Sequence, residues 1–113
     1  AGELDVNKLG YAFLSAGHVK EAIEVFEYNV KMNPASGNVH DSLAEALMTD
    51  GQKQKAIEHY KKSLELNPKN ENAKKMIVQL EKQWDTNILK EKPIFRALIF
   101  IQNPILLWKN KRF

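Results

Sequence analysis

KAIEHYKKSLELNP, residues 55–68, repeats the pattern of EAIEVFEYNVKMNP, residues 21–34. Working outward in that register pairs Leu9 with Leu43, Gly17 with Gly51, Ala22 with Ala56, Ile23 with Ile57, Phe26 with Tyr60, Val30 with Leu64 and Asn33-Pro34 with Asn67-Pro68. Small Gly10 meets small Ala44 at the same offset. A fixed period of roughly 20 to 50 residues marks stacked supersecondary units, because one unit cannot bury its apolar face alone. The repeat therefore decides the fold.

Each unit reads as two helices around a glycine. The first is expected over residues 4–16, with Val6, Leu9, Gly10 and Phe13 on one face by i, i+3, i+4, i+7 spacing. The second is expected over residues 19–32, with Ala22, Ile23, Phe26 and Val30 inward. Gly17 falls where a left-handed residue ends a helix without a Cβ penalty. Pro34 and Pro68 stop the second helices, since proline has no N–H to donate and restricts the residue before it. Small Gly10 and Ala22, and Ala44 and Ala56, let the paired helices approach.

This set of residues resembles the tetratricopeptide repeat, a helix-turn-helix unit of the same period. The resemblance implies an all-α fold with repeats at 3–36 and 37–70 and a capping third helix at 71–85. Residues 1–85 would form the repeat domain, and an apolar, basic tail with short helical segments would occupy 86–113. The capping helix ENAKKMIVQLEKQW places Ala73, Ile77, Leu80 and Trp84 on one stripe. Two repeats are few for a stack, so such a cover is needed. Asn29 and Ser63 depart from the alanine usual in the family, and His40 stands where a large aromatic is common. The stretch GNVHDSLAEALMTDGQKQKAIEHYKKSLELNP (residues 37–68), with LGYAFLSAGHVKEAIEVFEYNV (residues 9–30) in the same vein, also resembles repeat segments C-terminal to catalytic domains in some bacterial serine hydrolases, with no catalytic residue in the segment itself.

With 113 residues the chain is one domain at most. It has no cysteine, which excludes disulfide and thiolate chemistry. The start AGELDVNK lacks a basic-apolar export pattern, and its lack of Met suggests a processed chain or a fragment. The net charge of +3 divides unevenly. Residues 1–70 carry 8 basic and 10 acidic side chains, and residues 71–113 carry 9 and 4. Positive charge gathered in a tail makes no stripe for nucleic acid, so no nucleic-acid partner is expected.

Residues His40, Asp41 and Ser42 supply the residue types of a hydrolytic triad. Neighbours on a helix point about 100° apart, so they cannot form the relay. His18, His40 and His59 have no chelating companion at helical spacing, so no metal, cofactor or catalytic residue is expected. The chain reads as a non-enzymatic protein–protein interaction module. The resemblance maps its concave groove onto Asn7, Tyr11, Leu14, Asn38, Asp41, Glu45, Met48, Thr49, Asn72, Lys75, Gln79 and Lys82. Asparagines suit a peptide backbone, while Tyr11 and Met48 suit apolar side chains. The positions at which some family members clamp a C-terminal carboxylate hold Asn7, Tyr11, Ser42, Asn72 and Met76, so that clamp is absent.

The tail changes character. From Pro93 to Trp108, eleven of sixteen residues are Ala, Ile, Leu, Phe or Trp, followed by Lys109, Lys111 and Arg112. It reads as a further second helix, a membrane-surface anchor, a segment packing on its own or a neighbouring chain, or a sequence foreign to the repeat protein. A full span is excluded, because Arg96, Gln102, Asn103 and Pro104 break the apolar run. Exposed apolar segments seek burial, so Phe95, Leu98, Ile99, Ile101, Leu106 and Trp108 are expected to drive homo-oligomerisation.

Overall fold

Every boundary of the first helix pair recurs at the equivalent position of the second. α1 (Glu3–Ser15) and α2 (Val19–Met32) are followed by α3 (Gly37–Thr49) and α4 (Lys53–Leu66), then α5 (Glu71–Glu91). The computed structural model describes residues 2–91 and Ile94, with side chains for residues 2–82 and Ile94. The described residues are helices and their connections, with no strand among them. The all-α reading holds. Trp84, the tail helices and the six apolar tail residues named above lie outside the described side chains.

The turns repeat as closely as the helices. Gly17 and Gly51 have φ of 83° and 84°, the left-handed region that only glycine enters freely. The Gly17 N–H donates to the Leu14 carbonyl and the His18 N–H to the Phe13 carbonyl; Gly51 and Gln52 repeat this onto Met48 and Leu47. This is the Schellman closure, which satisfies carbonyls left over at a helix end. Helices α2 and α4 end before their Asn-Pro pairs. Asn70 then caps α5, its side-chain oxygen accepting from the Ala73 N–H at 3.1 Å.

Residues Ala1–Leu80 form one compact unit. Within it α1 packs on α2, α2 on α3, and α3 on α4. The core holds Ala22, Ile23, Phe26, Leu43, Ala44, Leu47, Ala56, Ile57 and Tyr60, and α5 contributes Ala73 and Leu80. Helix α5 is described over Glu71–Glu91. No Gly or Pro falls between 85 and 91 to stop it.

Leu9 corrects the sequence reading. It was expected inward with Val6 and Gly10, yet it is 51% exposed, whereas Leu43 at the same offset is 3% exposed. Leu43 shares a cleft wall with Val30 of the preceding α2. Among the described residues no helix stands to α1 as α2 stands to α3.

The two departures from alanine have a common explanation. The Asn29 amide donates to the Glu3 carbonyl at 3.0 Å. The Ser63 hydroxyl donates to the Gly37 carbonyl at 2.7 Å. Glu3 and Gly37 begin the first helix of their units, so both side chains latch the second helix to the start of the first. Asn29 is 1% exposed and Ser63 0%, so these bonds also satisfy polar groups that burial would otherwise penalise.

Candidate functional site

Two cross-helix bonds define the face shared by α1, α3 and α5. The Tyr11 hydroxyl on α1 donates to Glu45 Oε2 on α3 at 2.6 Å. The Asn72 amide on α5 donates to Asp41 Oδ1 on α3 at 3.2 Å. Asp41 and Glu45 lie one helical turn apart, so both face the same side of α3. All four residues belong to the predicted groove set.

The electrostatics follow from partial burial. Burial first, then the bond to Glu45, pushes the Tyr11 phenol up to about 12. Burial also raises the Asp41 carboxyl, against the opposing bonds from Asn72 and Asn70. The buried Tyr60 phenol is raised by burial and then by Asp41 and Glu45. Asp41 and Glu45 bring two carboxylates to the middle of this face.

The other predicted groove residues are placed unevenly. Asn7 on α1 is partly buried, and its side-chain oxygen is buried without a hydrogen-bond partner. Leu14 and Met48 are partly buried against the core. Asn38, Lys75 and Gln79 are exposed on α3 and α5. Exposed Thr49 turns its hydroxyl back onto the Glu45 carbonyl at 2.9 Å, so its own helix occupies it. Lys82 is exposed and lies outside the Ala1–Leu80 unit.

On the opposite side of α3 lies a cleft of about 520 Å³ lined by Val30, Leu43, Leu47, Lys55 and His59 among others. Leu43 and Leu47 each follow a groove carboxylate by two positions, which is about 200° around a helix. Sequence reasoning missed what sits beside this cleft: His40 of α3 and His59 of α4 meet, Nδ1 to Nδ1, at 3.1 Å. They are 19 residues apart and on different helices, so spacing along one helix could not reveal them.

Among the described residues no group of three or more His, Cys, Asp or Glu side chains could hold a metal ion. No described helix is long and apolar enough to cross a membrane. Residues 37–70 match the tetratricopeptide repeat family. The matched segment is α3, its turn and α4, and it supports the family for a chain whose first helix pair repeats the same boundaries. No curated protein matches the chain. Tetratricopeptide repeats are in general protein–protein interaction modules, and their helical fold is in general non-catalytic.

Proposed function

We propose that this chain is an adaptor that binds a peptide or a helix on the face formed by α1, α3 and α5. The observation that carries the reading is the polar row of half-buried Asn7, Tyr11, Asp41 and Glu45, joined by exposed Asn72. Its carboxylates are held by neutral donors of the chain itself. Leu14 and Met48 border the row and offer apolar contact. Lys75 and Gln79 would act as rim contacts, which tune association more than affinity.

The test is to pan a random peptide display library on the full chain and measure the selected peptides by calorimetry. Glu45→Gln and Asn72→Ala should each weaken the selected peptides by about tenfold, the scale of one hydrogen bond involving a charged group. Equal affinity for both variants and for the parent chain would remove the groove from the proposal.

The apolar tail carries a second part of this reading, homo-oligomerisation through Phe95, Leu98, Ile99, Ile101, Leu106 and Trp108. Its support is compositional: eleven apolar residues in sixteen, too apolar to remain in water unburied. Light scattering should give an oligomer for the full chain and a monomer for a chain ending at Glu91. A full-length monomer at tens of micromolar would end this part. A place in a larger serine-hydrolase protein rests on the wording of residues 37–68, with residues 9–30 in the same vein.

A further inference from the structure

His40 and His59 meet in a way that tolerates only some protonation states. Their ring centroids are 5.4 Å apart and their planes differ by 19°. The Nδ1 atoms are 3.1 Å apart. The centroid separation exceeds the nitrogen separation by about the two ring radii, so the rings meet edge to edge in nearly one plane, nitrogen facing nitrogen. That is the geometry of an N–H···N hydrogen bond, in which one ring donates and the other accepts.

A first added proton leaves this bond possible, because an imidazolium can donate to a neutral ring. A second cannot be accommodated. Both Nδ1 atoms would then carry hydrogens, two donors and two positive charges at hydrogen-bond distance. His40 is 6% exposed and its Nε2 is buried, so a charged ring there is largely cut off from solvent, with the Pro34 carbonyl giving only partial compensation.

We propose that the His40–His59 pair is an acid-sensitive latch that holds α3 to α4 when neutral and releases α3 when both rings are protonated. The groups around the pair favour the neutral state. Burial, then Lys62 of α4, lowers His40, against the opposing pull of the Pro34 carbonyl in the α2–α3 connection. Burial, then His40 itself, lowers His59; Glu58 of α4 opposes this and Lys55 of α4 assists it. From α2, Glu27 and Lys31 line the same cleft as His59 with opposite charges. Asp41 and Glu45 ride on α3, so loosening α3 disturbs the opposite face whatever that face binds.

The sign follows from linkage. Both histidines are lowered in the folded chain, so below the ordinary histidine value of about 6.5 the unfolded chain takes up more protons. Stability is complete above that value and falls as pH drops through it toward the folded values. Asp41 cannot imitate this, because a raised carboxyl makes stability rise as pH falls.

The experiment is urea unfolding of the full chain at a series of pH values from 7.5 to 5, with ring titration followed by NMR. The unfolding constant should grow about tenfold per pH unit for each excluded proton below pH 6.5. The double variant His40→Phe/His59→Leu should flatten this dependence, and His18→Gln, at an exposed turn position, should retain it. NMR should place at least one of the paired rings below the ordinary range in the parent chain, a result that stands if the double variant fails to fold. Both rings titrating near 6.5, or an unchanged slope in the double variant, would overturn the latch.

Discussion

Phe26→Ala is expected to remove about 3–5 kcal/mol of stability, a large fraction of what a chain of this size commonly has. Phe26 is 0% exposed and meets Tyr11 edge-on at 5.1 Å between centroids. Its ring also fills the space that a side chain at position 10 would need. A β-carbon built on Gly10 would lie 2.2 Å from the ring edge. The two positions are therefore coupled, and the coupling gives a sharper test. In the parent chain Gly10→Ala should destabilise, because the buried ring must shift. In the Phe26→Ala background the clash is gone, and the same change should stabilise by about 0.5–1 kcal/mol through helix propensity. Urea denaturation of the four chains completes the cycle. Additive effects would mean that the ring does not sit over Gly10.

The same ring explains why the fold was legible. The pairs at the repeat spacing are positions whose side chains are needed in both units: the ring at 26 and 60, the small residue at 10 and 44, the left-handed glycine at 17 and 51. Local rules of periodicity and turn chemistry are enough to find these. Leu9 shows where periodicity fails, since the pattern says that a residue is apolar and not whether a neighbouring helix exists to cover it. Of the residues expected in a groove, only a row was legible as neighbours. Tyr11, Asp41, Glu45 and Asn72 come together because stacking first helices aligns equivalent positions. Thr49 sits beside that row by residue number but bonds its own helix. The His40–His59 contact was not legible, because it depends on the packing of α3 on α4 and on rotamers that no spacing encodes. Asn29 and Ser63 were visible as departures from the family, but their shared task required seeing that Glu3 and Gly37 are themselves equivalent positions of the two units.

That shared task yields the last prediction: leucine should cost more at position 63 than at position 29. At position 29 leucine keeps the branched outline of the asparagine side chain, so the overpacking is smaller than at position 63 and the main loss is of hydrogen bonds. The Glu3 carbonyl loses a donor, and the Asn33 amide, which donates to Asn29 Oδ1 at 2.9 Å, loses its acceptor. Glu3 lies at the start of α1 and Asn33 is partly exposed, so water can replace part of what is lost, and the cost should be about 1–3 kcal/mol. At position 63 the same bonds are at stake, with the Gly37 carbonyl as acceptor and the Asn70 amide donating to the hydroxyl at 2.9 Å. Here there is no spare volume. Ser63 is 0% exposed, and a β-carbon added to Gly37 would stand 3.0 Å from the Ser63 carbonyl oxygen. Leucine must therefore push α3 and α4 apart, adding about 1–3 kcal/mol of overpacking to the lost bonds. Thermal melts of the two variants provide the ranking, and Ser63→Ala, which removes the bonds without adding volume, separates the two terms. If Ser63→Leu proves no worse than Ser63→Ala, α3 and α4 are not packed as closely at Gly37 as the geometry requires.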